Sequence, residues 1–272
     1  MWFDTHCHLD APEFREDLPL VLARAAAQGV TGILIPAVQV SDFDHVIETV
    51  EKWQDLIPHI CFTLGIHPLF TVQAEDQDIE KVRSSIEKYL HHPRFMGVGE
   101  IGLDYFVDYL DNEKQEWFFE EQLKMAKDFE LPIVMHVRKS QDQLLKRLRQ
   151  IRVSGGIAHA FNGSFVQAQH FLDLNFVLGF GGTLTYDRAL QIRRLAQEFS
   201  EHSYVLETDS PDIPPAWLMG EESQRNEPVH LPRIAQTFAY IRKISLEHCA
   251  QINIKNASRV LPKLRQLIAM NF

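Results

Sequence analysis

Eight short apolar runs, each followed by a stretch of helical period, constrain this chain more than any other feature of its 272 residues. They cover 2–6, 30–38 (VTGILIPAV), 59–66 (HICFTLGI), 95–101 (FMGVGEI), 132–137 (PIVMHV), 155–160 (GGIAHA), 176–181 (FVLGFG) and 203–208 (SYVLET). Their brevity and β-branched and aromatic content favour strands over buried helices. Several are apolar at consecutive positions, as expected of parallel strands covered on both faces. Strict strand–helix alternation with eight strands predicts an α/β fold, a (β/α)8 TIM barrel, and the length is near the typical size of about 250 residues. An open doubly wound sheet is the structural alternative, but no glycine-rich nucleotide fingerprint supports it. No Gly/Ser/Pro-rich linker, low-complexity tract or run of like charge divides the chain, so one domain over 1–272 is expected.

The intervening segments carry helix signals. Ser41-Asp42-Phe43-Asp44 reads as a capping box with Asp in place of Glu, followed by an apolar stripe at Phe43, Val46, Ile47, Val50 and Trp53. Ser140 can cap a helix bearing Leu144, Leu145, Leu148 and Ile151, and Ser164 one bearing Ala168, Phe171 and Leu172. Further helices are expected at 16–28, 76–90, 113–129, 187–199, 231–243 and 245–260.

Potential metal ligands recur where the strands end. In an extended segment alternate side chains share a face, so His6 and His8 point together while Cys7 turns away. Glu100, His136, His159 and Asp209 lie at or just beyond the ends of later strands. In such a barrel those ends converge on one mouth. Four imidazoles and two carboxylates suit two borderline divalent ions such as Zn²⁺ or Mn²⁺. A carboxylate has two oxygens, so Glu100 or Asp209 can bridge a pair of ions about 3.5–4 Å apart. The bland reading of any one histidine is a hydrogen-bonded structural residue. Of the thirteen, His45, His59, His91, His92, His170, His202, His230 and His248 have no claim by position. Glu100 and Asp209 resist that reading, because a charge beside an apolar run needs a cationic partner.

Charge and cysteine content narrow the function. The net charge of −10 is unlike that of a protein holding nucleic acid through a broad basic surface. A polyanionic substrate would be gripped locally and transiently, by metal ions and a few cationic groups. Three widely spaced cysteines, Cys7, Cys61 and Cys249, with no Cys-x-x-Cys, read as reduced core residues. The N-terminus shows no targeting lead-in and no apolar stretch is long enough for a membrane span. A soluble cytoplasmic protein, with no membrane association and no stable protein partner implied, is the expectation.

The segments FDTHCHLD (3–10), GIHP (65–68), VGEIGLDY (98–105), HVRKS (136–140), HAFNGS (159–164), GGTLTY (181–186), LETDSP (206–211) and RNEP (225–228) resemble, in order, those of the TatD family of metal-dependent hydrolases. The resemblance covers nearly the whole chain. It implies a (β/α)8 barrel with a binuclear centre, in the wider amidohydrolase superfamily, and deoxyribonuclease activity including 3′→5′ exonuclease action. By position it implies that His6, His8, Glu100 and Asp209 hold one divalent ion, and Glu100, His136 and His159 the other (Zn, Mn or Mg). Many amidohydrolase relatives carry a carbamylated lysine near strand 4, whereas here Glu100 stands between Gly99 and Ile101.

Two cations would lower the pKa of a bound water from about 15.7 towards 7 and neutralise phosphodiester oxygens. Asp209 is the candidate general base beside Glu100. His67 and Arg138 are candidate phosphate binders, with a structural cap and a surface ion pair as their alternatives. Tyr105 can stack on a base or simply form a wall. Asp104 reads as orienting a ligand or loop, and Glu207, Arg225 and Asn226 as supports, with Arg225 the partner of Glu207. Asn162 touches substrate or shapes its turn. The leading reading is a metal-dependent deoxyribonuclease with single-stranded DNA as transient substrate. Hydrolysis of another phosphoester, carboxyl ester or cyclic amide at the same centre stays open, as does a metal-holding binding module without turnover.

Overall fold

All eight runs form strands: β1 (Trp2–Asp4), β2 (Val30–Pro36), β3 (Cys61–Leu64), β4 (Phe95–Asp104), β5 (Ile133–Arg138), β6 (Gly156–Ala158), β7 (Phe176–Phe180) and β8 (Tyr204–Leu206). They lie parallel in sequence order in one sheet. The computed structural model describes residues 1–221 and 223–270. The single domain expected over 1–272 also takes in positions 222, 271 and 272, which lie outside the described residues.

Strands β1 and β8 meet through the segments that follow them. Thr5 N–H donates to Leu206 O (3.3 Å), Asp209 N–H to His6 O (2.8 Å) and His8 N–H to Ser210 O (2.8 Å). His6, His8 and Asp209 therefore stand in the seam that closes the barrel.

Among the described residues ten α-helices accompany the strands: α1 (Leu18–Ala27), α2 (Phe43–Trp53), α3 (Gln77–Tyr89), α4 (Asn112–Asp128), α5 (Gln141–Gln150), α6 (Phe165–Asp173), α7 (Leu190–Glu198), α8 (Leu231–Arg242), α9 (Leu246–Val260) and α10 (Pro262–Met270). The last was not foreseen. Pro262 opens it, a first-turn position where the missing N–H costs nothing. Ser164 caps α6 in a capping box with Gln167. The other two serine caps differ from expectation. Ser41 Oγ bonds Asp42 Oδ1 and α2 starts without a side-chain cap, while Ser140 Oγ donates to Leu103 O at 2.6 Å.

The barrel interior takes one side chain from each strand: Phe3, Leu34, Cys61, Met96, Val134, Ile157, Val177 and Val205, all buried. Val260, Leu264 and Leu267 of α9 and α10 join that cluster. A second, larger cluster lies between the strands and the surrounding helices. Period-two alternation then positions the site. Two residues beyond Val134, Ile157 and Val205 on the same inward face come His136, His159 and Glu207, and two beyond Glu207 comes Asp209. Among the described residues no helix is long and apolar enough to cross a membrane.

Candidate metal centre

Glu100 sits at the centre of the site, and its two carboxylate oxygens face different partners. Oε2 lies 3.1 Å from His6 Nε2 and 3.5 Å from His8 Nε2. Oε1 lies 2.9 Å from His159 Nε2, 3.1 Å from His136 Nδ1 and 3.3 Å from His67 Nε2. Asp209 Oδ1 completes the first set, 3.4 Å from His6 Nε2 and 3.6 Å from His8 Nε2. Glu100 comes from the interior of β4, which continues to Asp104 rather than stopping at 101. The continuation needs Gly102, because a Cβ there would stand 2.2 Å from His136 O on the neighbouring strand.

The donor chemistry fits divalent metal. His6 Nε2 and His8 Nε2 converge to 3.1 Å. Nitrogens and oxygens about 2.0–2.2 Å from a shared ion stand roughly 3–3.5 Å from one another, which is the spacing seen here. The groupings His6/His8/Glu100, His6/His159/Asp209 and His67/Glu100/His136 each bring their donor atoms within 4.8 Å.

Neighbouring carboxylates set which nitrogen of each ring is free. His136 Nε2 lies 3.0 Å from Asp104 Oδ2. Asp104 is held below the usual carboxylate range: burial opposes this, but the bonds to His136 and the Phe106 N–H prevail. An ionised carboxylate only accepts, so the proton sits on Nε2 and the Nδ1 lone pair faces Glu100. Glu207 stands behind His159 at a longer range, with Oε1 3.7 Å from Nδ1, and accepts from Ala160 N–H at 2.5 Å. His67 differs. Its Nδ1 accepts from Leu69 N–H (3.1 Å), so in the neutral ring Nε2 is a donor rather than a ligand. Burial pushes His67 down to about 4, which keeps it neutral.

Electrostatics agree with this reading. Burial alone would raise Glu100, yet His159, His67 and His6 hold it well below the usual carboxylate range. Burial likewise opposes charge on His8, but Asp209 and Glu100 lift it to about 9. The carboxylates thus draw positive charge into the floor of the mouth, a charge that a bound cation can supply in place of protons.

The buried Asp4 was missed by sequence reading. Its Oδ1 accepts from Thr208 N–H (2.9 Å) and its Oδ2 from Thr208 Oγ1 (2.6 Å), tying the His-x-His segment to the Asp209 segment. The available signal was an acid at the end of an apolar strand. Asp104 and Glu207 stand beside the rings of His136 and His159. Arg225 is not the partner of Glu207. It lies bidentate on Asp17 (2.8 and 2.7 Å) and reaches Glu227 (2.7 Å), because the chain after β8 carries it towards α1. Asn226 Nδ2 pins that segment by donating to Thr208 O, Asp212 O and Ile213 O.

Of the proposed substrate groups, His67 lies within the cluster. Arg138 stands exposed at the rim, 3.6 Å from Asp104. Tyr105 is turned towards α4, its hydroxyl donating to Glu116 at 2.6 Å. Asn162 O accepts from Gln141, which fixes its turn.

Comparison with known proteins gives consistent results. The family model described as TatD related DNase matches residues 3–262. The chain is 36% identical over 256 residues to an Escherichia coli K12 protein named uncharacterized metal-dependent hydrolase YjjV, spanning 94% of this chain and 95% of that one. The crystal structure of YjjV, described as a TatD homolog, has a TM-score of 0.89 at 34% identity, covering 96% of this chain and 98% of that one. A human relative named deoxyribonuclease TATDN3 is 28% identical over 275 residues, or 97% of this chain and 96% of its own.

Proposed function

The chain belongs to the TatD family of metal-dependent hydrolases, and from that premise we propose that it is a deoxyribonuclease removing nucleotides 3′→5′ from single-stranded DNA. The carrying observation is Glu100, which offers one oxygen to His6 and His8 and the other to His136 and His159. That disposition supports two ions bridged by one carboxylate. His6, His8, Glu100 and Asp209 would hold the first, and Glu100, His136 and His159 the second. When bound, such a pair acidifies a water and offsets the charge of a phosphodiester. The name of the human relative favours DNA as the ester, held as a transient substrate.

The chain's own groups have the following roles. Asp209 stays ionised: burial opposes this, but His8, His159 and His6 lower its pKa. It accepts the proton of the attacking water at a carboxylate oxygen. His67 donates a hydrogen bond from Nε2–H to a phosphate oxygen. Arg138 offers its fork of donors to the same or the next phosphate. Asp104 keeps the ring of His136 in the ligating tautomer, and Glu207 places a carboxylate behind the ring of His159. Three buried free cysteines suit a reducing compartment, and we place the protein in the cytoplasm.

The test is nucleotide release from 3′-labelled and 5′-labelled single-stranded DNA with added Mg²⁺, Mn²⁺ or Zn²⁺, wild type beside an identically purified Glu100→Ala. Stepwise loss from the 3′ end by wild type alone is the expected result. Equal release by both proteins, or none by either, removes the deoxyribonuclease reading and directs the search to other phosphoesters, carboxyl esters and cyclic amides.

A further inference from the structure

While Tyr105 turns inward, its neighbour Phe106 stands in the open at the mouth. Phe106 is 48% exposed, so its ring is open to contact from the mouth. Two cations already lie over that ring, the Arg138 guanidinium at 4.0 Å from its centre and the Lys139 ammonium at 4.7 Å. The backbone beneath is fixed to the metal cluster. Phe106 N–H and Val107 N–H donate to Asp104 Oδ1 (2.9 and 3.3 Å), and the other oxygen of that carboxylate holds His136. On β5, Arg138 shares the inward face with His136, one two-residue step or about 6.6 Å further out. Strand pairing sets Arg138 opposite Asp104.

We propose that Phe106, Arg138 and Lys139 form a nucleotide platform at the β4–β5 rim, which receives the base and phosphate next to the bond being cut. This rests on the deoxyribonuclease reading and extends it by assigning a place to the neighbouring nucleotide. Single-stranded nucleic acid is held by aromatic faces for bases and cations for phosphates, and the platform supplies both on a chain whose net charge is −10. An incoming phosphate draws Arg138 and Lys139 off the ring and frees its face. The two cations over the exposed ring contribute a factor of about 2–5 each and a stacked base about 5–150, and pairing of both cations with the incoming phosphate favours the exchange.

The test is binding of a hydrolysis-resistant phosphorothioate single strand to the metal-loaded protein, read by fluorescence anisotropy. Phe106→Ala should weaken binding about tenfold and Phe106→Trp should retain it. A strand made abasic along its length should bind wild type and Phe106→Ala alike. Lys139→Gln should reduce the slope of log affinity against log salt by about one. Undiminished binding by Phe106→Ala, the same loss on the abasic strand, or failure of Phe106→Trp to restore affinity would overturn the platform. So would failure of wild type to bind the strand. Phe106-dependent binding without nucleotide release would uphold the platform and remove the deoxyribonuclease reading. Nucleotide release indifferent to Phe106 would do the reverse.

Discussion

Replacing Asp104 with Asn should weaken one metal site and spare the other. Asp104 Oδ1 accepts from the N–H groups of Phe106 and Val107, while Oδ2 faces His136 Nε2 at 3.0 Å. An Asn at this position keeps its carbonyl oxygen on the two backbone donors, so its NH₂ points at His136. Nε2 must then accept, the ring proton moves to Nδ1, and the lone pair that faces Glu100 is lost. Carboxylates behind ligating histidines contribute about 10–100-fold in metal affinity, or roughly 1.4–2.7 kcal/mol. The backbone bonds survive, so the thermal midpoint of the metal-free protein should hold. Competition titration with a chromophoric chelator separates the sites. The expected result is one affinity reduced 10–100-fold with the other unchanged. Equal weakening of both sites, or of neither, would refute the tautomer argument.

Other perturbations reach different parts of the fold. In Gly179→Ala the new Cβ would lie 2.2 Å from Glu207 Oε2, pushing that carboxylate off Ala160 and His159. The expected outcome is a loss of about 1–3 kcal/mol in denaturant unfolding with weakened metal binding. Arg225→Met removes the bonds to Asp17 and Glu227 and should cost about 1–3 kcal/mol of stability, while turnover per folded molecule at low temperature is retained. His59 has both ring nitrogens buried without partners, and burial lowers its pKa below 6.5. The folded form therefore stays neutral where the unfolded chain takes a proton. Stability present above about 6.5 is lost as pH falls towards the folded value, so melts between pH 8 and 5.5 should decline less steeply for His59→Leu.

The fold was legible because the alternation of periods two and 3.6 was regular, and the convergence of the six candidate ligands because each sat near the end of a strand. The errors have physical sources. Strand 4 was expected over 95–101, but glycine also serves where two backbones approach closely, and β4 runs on through Gly102 to Asp104. His6 and His8 lie beyond β1, which stops at Asp4, and their convergence is produced by bonds to the β8 side that no local pattern encodes. Arg225 was assigned to the wrong carboxylate because the chain after β8 has no period from which its path follows. Tyr105 and Phe106 are adjacent aromatics, and only the bonds of Glu116 to one and Asp104 to the other decide which faces solvent.

The central claim is that Glu100 joins two sets of donors, each able to hold an ion. Metal content after saturation with Zn²⁺ and desalting, read by native mass spectrometry, tests it most directly. Wild type should retain two ions per chain and the double variant His136→Ala/His159→Ala one. A wild type that saturates at one ion, or a double variant that still takes two, would contradict the account.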